Sequence, residues 1–485
     1  MDTGSSAGLN GWANCGAMTK EDPMTSNKRQ LKIGYSIWPT GHHRTAWRLP
    51  EASNTGTVDP AFMADTIRTA ERGLFDYYFI GNAVKSDPEA ARANGNEVFK
   101  IEGYALGGYA AALTKKIGIV VTINITYSDP YNTARAIVSL DHLSGGRTGL
   151  NVVTGVAGTD AAKNFSRAEH PQAAEKYAHA DEFLQVFNAL TGSWDPDWLV
   201  DDRERGIFLD PAKGHRIDHE GKYFSVRGPL NIPPPPQGRI PVIHAGTSEE
   251  SFELGAKYAD IRFSPYRGRD WNEAYYNDIK GRLPKYGRQE SDQLILPGFT
   301  FFVEETTRGA RDKYREVQNF TLNEYAPKAV AGFLALEFGT PAPGEKVLDV
   351  IDYAKLKAEV AKQPAHLHGQ PGQAAEKLWA LELALDAYGD WEHVTFRDLH
   401  NYIANFPGNQ APVVGSGRDV ANWIEERFEN REFDGVKVFP PYSPQPLAAF
   451  VDLVVPELQR RGIFRTEYES STLVGHLGLD KNQQG

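Results

Sequence analysis

Apolar residues follow two alternating rhythms along this chain, short unbroken runs and longer stretches with an apolar residue at every third or fourth place, which predicts strand, helix, strand. Leu31 to Trp38 is the first run. Met63, Ile67 and Ala70 then form the buried stripe of a helix that Asp59 caps and Pro60 opens. Asp76 to Gly81 is a second strand ending at Asn82, Glu102 to Thr114 a small-residue helix, and Ile117 to Thr126 a third strand. Helices over Pro130 to His142 and Ala173 to Leu190 flank a strand at Arg147 to Thr154, and Pro241 to Ala245 is the next strand. Ile261 to Phe263, Leu294 to Val303 and Gly435 to Phe439 bring the count to eight. Such a cadence implies a parallel sheet with right-handed crossovers, either doubly wound or closed. Eight strands in 485 residues fit an α/β fold, a TIM-like (β/α)8 barrel with insertions.

The cadence stops twice. Residues 191–239 hold Trp, Asp, Gly and the run Pro233 to Pro236, a long excursion of the kind that covers something. Residues 322–430 show several helical patterns and little strand, and read as a long helical insertion late in the barrel. Residues 31–480 are thus expected to form a single domain, closed by an amphipathic helix at Leu447 to Arg461. Residues 1–30, rich in Gly, Ser, Asn and Thr, read as a disordered extension that is neither signal peptide nor membrane anchor.

Charge narrows the function. Against 52 basic residues stand 63 acidic ones, a net charge of −11, which argues against a nucleic-acid or anionic-membrane surface. No apolar run approaches the ~20 residues of a spanning helix. A single cysteine, Cys15, excludes intrachain disulfides and a cysteine-based metal site and suits a reducing, cytoplasmic setting.

In a parallel barrel the chemistry belongs at the carboxyl ends of the strands. The first such loop, GHHRTAWRLP at Gly41 to Pro50, carries His42 and His43, which could act as acid or base or could bond locally; their adjacency points the rings apart. Trp47 and Arg48 suit either a surface cation–π pair or a pocket wall. Asn82, Asn124 and Asn151 end three strands and could bind a flat heterocycle that offers donors and acceptors. The junction PVIHAGTSEE, Pro241 to Glu250, runs from a buried strand through Ala245 and Gly246 into a helix opened by Thr247 and Ser248. Its free amides could grip a phosphate. On this segment alone the plainer reading is that they are capped within the chain, since Thr247 and Glu250 match a capping box and Glu249 and Glu250 count mildly against an anion. No phosphate loop, GxGxxG, HExxH or GxSxG pattern is present, which argues against a built-in nicotinamide domain.

Four longer motifs make the pattern specific: TGHHRTAWRLP at Thr40 to Pro50, SDPYNTARAIVSLDHLSGGRTGLNVVTG at Ser128 to Gly155, PQGRIPVIHAGTS at Pro236 to Ser248, and VDLVVPELQRRGIFRTEY at Val451 to Tyr468. Together they resemble the bacterial-luciferase-like flavin-dependent monooxygenases. Within these they are similar to the branch of nitrilotriacetate monooxygenase component A, dibenzothiophene sulfone monooxygenase and pristinamycin IIA synthase. The likeness runs from about Lys32 to Leu479, with the helical insertion outside it. It implies the oxygenase component of a two-component system, with FMN arriving as FMNH2 from a separate NAD(P)H-dependent flavin reductase. O2 would react at the flavin C4a position, and a small organic substrate would be oxidised or cleaved at a C–N or C–S bond. Relatives of this kind imply a homodimer or homotetramer.

Carried over by residue, Ser248 with the Gly246 and Thr247 amides, beside Ala245, would hold the FMN phosphate. Asn82, Asn124, Asn151, Thr154 and Tyr177 would face the flavin. Phe79, Trp47, Tyr127 and the 191–239 excursion would exclude water from the substrate, Arg48 with Arg44 would suit a carboxylate, and His42 or His43 would protonate or hydrogen-bond the flavin peroxide. The sequence departs from the family at Asn82 (usually aspartate), Leu150 (usually tryptophan), Ala173 (usually a histidine, the nearest upstream being His170) and Asn405 to Gln410, where a substrate-side histidine has no equivalent. These departures keep two alternatives open, a deazaflavin F420-dependent oxidoreductase on the same barrel and a non-catalytic flavin-binding barrel.

Overall fold

The computed structural model describes residues 29–85, 99–155, 160–321, 324–334, 341–362, 374–406 and 411–479. The N-terminal extension up to residue 28 lies outside the described residues. The sheet has ten parallel strands: β1 (Lys32–Ile37), β2 (Tyr77–Ile80), β3 (Gly118–Asn124), β4 (Thr148–Val153), β5 (Val242–Ala245), β6 (Ile261–Phe263), β7 (Leu294–Ile295), β8 (Gly298–Glu304), β9 (Ala411–Ser416) and β10 (Gly435–Phe439). Their order is β7-β6-β5-β4-β3-β2-β1-β10-β8-β9. The crossovers are helical, among them α1 (Pro60–Arg72), α2 (Gly103–Leu113), α3 (Pro130–Ser144), α4 (Ala173–Thr191) and α5 (Glu249–Tyr258). Asp59 caps α1, with Pro60 in the first turn, and Asp129 caps α3 in the same way.

The apolar run Leu294 to Val303 is two strands rather than one. Pro297 has no N–H to give a ladder, so the stretch breaks there and bends from one end of the row to the other. Leu296 N–H donates to the Arg262 carbonyl at 2.9 Å on the β6 side, while the Pro297 carbonyl accepts from Lys437 N–H at 2.8 Å on the β10 side. The row is not formally closed as a ladder, yet these bonds carry the backbone around it. A buried carboxylate fastens the seam: Asp434 accepts from Ile295 N–H at 2.9 Å and the Tyr276 hydroxyl at 2.8 Å, and pairs with Lys280 Nζ at 3.0 Å.

Side chains alternate across the strands. Ile33, Tyr35, Tyr78, Ile80, Ile119 and Val121 face the helices, while Tyr77, Phe79, Val120, Ile243, Ile261 and Leu296 cluster inside the barrel. The C-terminal helix Leu473–Leu477 packs Leu473 and Val474 into that inner cluster and plugs the amino ends of the strands. The carboxyl ends are left to hold a ligand.

The stretch 322–430 is helical, where described, as far as Asn405 and then supplies β9, a strand outside the eight-strand reading. Its sequence, APVVGS, is short and contains Pro412. At the edge of the row a proline sacrifices no ladder bond, which is why this strand tolerates it. The 191–239 excursion folds as two short hairpins, Leu199–Asp202 with Ile207–Leu209 and His219–Glu220 with Ser225–Val226. Glu182 of α4 holds the second by accepting from Tyr223 N–H at 3.0 Å and Phe224 N–H at 2.8 Å.

Candidate functional site

At the carboxyl ends of β2 to β5 lies a cavity of about 400 Å³. Asn82 and Lys85 follow β2, Asn124 ends β3, Thr154 and Gly155 follow β4, Lys176 and Tyr177 come from the first turn of α4, and His244, Ala245 and Gly246 end β5. The fold thus brings Asn82, Asn124, Thr154, Tyr177, Ala245 and Gly246 around one cavity. Two cations, Lys85 and Lys176, line it and no carboxylate does among the described residues.

The β5–α5 turn is built for close approach. Gly246 has φ +126°, and a Cβ there would collide with Ser251 Oγ. Arg262, fully buried beneath the turn, donates from Nη2 to the Gly246 carbonyl at 2.7 Å. Thr247 follows, half-buried, and Ser248 caps α5 by accepting from Ser251 N–H at 3.3 Å while donating to the Tyr177 hydroxyl at 3.4 Å. His244 is bound on both ring nitrogens, to the Val152 carbonyl at 3.1 Å and Ser251 Oγ at 3.2 Å. Burial and the nearby Arg262 cation push its pKa down to about 3, so it is a neutral wall.

Across the cavity, the Asn124 carbonyl oxygen accepts from Thr126 N–H at 3.2 Å, and its amide nitrogen is directed towards Gly155. Asn151 sits deeper, inside the barrel, donating to Thr122 Oγ1 at 3.0 Å; it does not line the cavity. Tyr127 stacks on Phe165 with centroids 4.6 Å apart, and its hydroxyl shares a hydrogen bond with His170 Nδ1 at 2.7 Å. His170 is therefore a second layer behind Gly155, where a Cβ would stand 2.8 Å from its Cε1. Its buried Nε2 has no partner among the described residues. Ala173, where the family pattern has its histidine, is exposed at the start of α4, and His170 is the imidazole nearest to that role.

The β1 loop is divided. His42 is buried, with its ring 4.2 Å from Phe439 and 5.1 Å from Trp38 and its Nε2 3.3 Å from the Ser36 carbonyl. Burial holds its pKa well below the usual histidine range, and Lys100 and Lys437 push in the same direction. His43 faces the other way, with Nε2 2.8 Å from Gln318 Oε1 and its ring edge-on to Phe302 and Phe406; burial takes its pKa down to about 4. Trp47 and Arg48 occupy a single 3-10 turn in which Arg48 donates to the Phe320 carbonyl at 2.6 Å, and Arg44 donates to the Ala404 carbonyl at 3.0 Å. None of these lines the cavity, and neither does any residue of the excursion. The Asn405 amide is taken up by Asn401, Gln318 and Thr321, and Pro407 to Gln410 lie outside the described residues. Leu150, in the position of the family tryptophan, is fully buried against the helical layer.

Lys176, Arg262 and Lys437 are contributions that motif reading did not single out. Lys176 adjoins Tyr177 in sequence, so a helix-face reading could have found it. Arg262 and Lys437 look like ordinary strand residues until the barrel gathers them.

The description luciferase-like monooxygenase belongs to the family model that matches residues 41–431. The chain is similar to N-acetyl-S-(2-succino)cysteine monooxygenase of Bacillus subtilis (strain 168), 33% identical over 94% of this chain and 98% of that one. It is also similar to nitrilotriacetate monooxygenase component A of Aminobacter aminovorans, 35% identical over 94% of this chain and 98% of that one. Among solved structures it is similar to EDTA monooxygenase from Chelativorans sp. BNC1, with a TM-score of 0.75 and 25% identity over 93% of this chain and 99% of that one.

Proposed function

The chain belongs to the luciferase-like monooxygenase family, and on that premise we propose that it is the oxygenase component of a two-component system. It takes reduced FMN from a separate NAD(P)H-dependent flavin reductase and uses O2 to oxidise a small organic compound at a C–N or C–S bond. The observation that carries this reading is the composition of the cavity: neutral amides, one phenol and two lysines around a glycine turn, without a carboxylate among the described residues. Such a wall suits a flat heterocycle with a phosphate tail.

The fit rests on particular atoms. The φ of Gly246 opens the turn to close approach, and the Nε2 of His170 behind Gly155, buried and unpartnered among the described residues, is a polar atom left for a ribityl group. Lys176 and the amides after Gly246 would hold the phosphate, with Tyr177 and Ser248 beside it. Asn82, Asn124 and Thr154 would orient the ring edge by donating and accepting without a full charge. When bound, FMNH2 would supply two of the four electrons that reduce O2 and the substrate the other two, with one oxygen atom going to the substrate and the other leaving as water. The aromatic layer of Trp38, Phe79, Phe263 and Phe439 excludes water from that exchange. His42, neutral and set in this layer, is better placed than His43 to offer a hydrogen bond there.

Some relatives are named for an amine, nitrilotriacetate or EDTA, or for thioethers, N-acetyl-S-(2-succino)cysteine and dimethyl sulfide, and others for dibenzothiophene sulfone or long-chain alkanes. Anaerobic titration of the purified chain with FMNH2, riboflavin and deazaflavin F420 tests the reading. Tightest binding of FMNH2 is expected. Preference for F420 would move the chain to hydride chemistry, and equal binding of riboflavin would remove the phosphate site.

A further inference from the structure

One cation inside the barrel is unused by this reading. Lys437 sits mid-way along β10 and points inward with Gly435 and Phe439. It is 4% exposed, and its Nζ lies 3.0 Å from the Phe79 ring centroid, 4.8 Å from that of Phe263 and 5.5 Å from that of Phe439. Among the described residues this ammonium donates no hydrogen bond and faces no carboxylate, and burial holds its pKa well below the usual lysine range. The cage depends on its ladder neighbour Gly298: a Cβ there would collide with Phe439 and stand 2.9 Å from Phe263. Two residues further along β8, on the same face, Thr300 Oγ1 is buried without a partner among the described residues. Unpaired donors are thus gathered where rings exclude water.

Such a gathering is unfavourable in the empty protein. The three ring faces offset only part of the cost of burying an amine without a hydrogen-bond acceptor, a cost that a methionine filling the same cage would not carry. The amine gains a role only when an anion enters. The phosphate end of the cavity already has donors of its own at Gly246 and Lys176. The cage adjoins the cavity from the opposite side, since Phe79 lies three residues before Asn82 and Phe263 is the register partner of Ala245. A compound seated over the cavity can therefore reach Lys437 with its far end.

We propose that Lys437, with Thr300 beside it, binds a carboxylate of the substrate and selects anionic amines or thioethers over neutral ones. This rests on the reading of the cavity given above. An approaching carboxylate turns a caged amine into one half of an ion pair in a dry site, where charge-assisted hydrogen bonds are strong. Neutral compounds leave the amine unpaired and bind less well.

Calorimetric titration of the full-length chain, with and without oxidised FMN, separates the possibilities. The probes are nitrilotriacetate and N-acetyl-S-(2-succino)cysteine, each against its methyl ester. The expected result is tighter binding of the acids than the esters by the wild type. Lys437→Met should weaken acid binding about tenfold or more, leave the ester and FMN affinities unchanged and raise the melting temperature of the empty protein. Lys437→Gln, which keeps a polar side chain, carries the same binding prediction should the methionine variant not fold. Equal acid affinity in wild type and variant, or no acid binding by the wild type, would overturn the proposal. So would a loss of FMN affinity with the acids unaffected, which would assign the amine to the flavin. Failure of the wild type to bind FMN would instead sink the reading of the cavity, and the FMN-free titration would still decide the role of Lys437.

Discussion

Replacing Lys176 by alanine tests whether this end of the cavity takes the phosphate, without touching the barrel core. Its Nζ approaches the Gly155 carbonyl at 3.4 Å and lines the cavity beside Tyr177, and the side chain is half-buried. A hydrogen bond to a charged group contributes ~1.5–3 kcal/mol. Partial exposure screens this to ~1–2 kcal/mol, or a ~5–30-fold rise in the Kd of FMN. Riboflavin has the same ring and ribityl chain but no phosphate, so its Kd should stay the same. Fluorescence titration of both flavins against wild type and Lys176→Ala gives the ratio directly. Raising ionic strength should shrink the FMN effect and leave riboflavin untouched. An equal loss for both flavins would mean that Lys176 shapes the cavity rather than meeting a phosphate, and no loss for either would place the phosphate elsewhere.

Gly246→Val forces a branched residue to φ +126° and against Ser251 Oγ, at ~1–3 kcal/mol of strain; both the melting temperature and FMN affinity should fall, and an unchanged affinity would separate the turn from the ligand. Asp434→Ala leaves Lys280 buried without its partner at the seam and should cost ~3–5 kcal/mol in chemical unfolding, with less lost in Asp434→Asn. Burial holds the pKa of His43 and His476 near 4 and that of His244 near 3. Below about pH 6.5 the unfolded chain therefore binds protons that the native state does not. Their stabilisation is complete above that pH and lost as pH falls towards 4, each tenfold difference in proton affinity between the two states contributing ~1.4 kcal/mol; a urea midpoint independent of pH between about 7 and 4.5 would contradict this.

Much of the architecture was legible because it is local. The junction at Pro241 to Glu250 declares a buried strand, a glycine turn and a capped helix in one short stretch, and the strand and the turn stand where the pattern places them; the cap is Ser248, one residue beyond the Thr247 of the Thr247–Glu250 capping box that the pattern offered. What escaped depends on closure of the row. Leu294 to Val303 is one apolar run on paper, and only the demand that it pair with β6 at one end and β10 at the other breaks it at Pro297. β9 was hidden because an edge strand needs neither length nor a full set of N–H donors. The same limit governed the site. Asn82, Asn124 and Thr154 end strands, so alternation alone predicts that they meet, whereas Lys437 is an inward residue only once its strand has neighbours. His42 and His43 are adjacent in sequence, yet the turns of the loop send one to Trp38 and Phe439 and the other to Gln318. Their pairing in sequence carries no pairing in space.

The central claim is that this barrel binds reduced FMN and controls its reaction with O2. Rapid mixing of the FMNH2-loaded protein with O2, following flavin reoxidation and hydrogen peroxide release, tests it most directly. Reoxidation slower than that of free FMNH2, with peroxide release suppressed by an accepted amine or thioether, is the predicted result. Reoxidation at the rate of free flavin, with stoichiometric peroxide whatever compound is added, would contradict it.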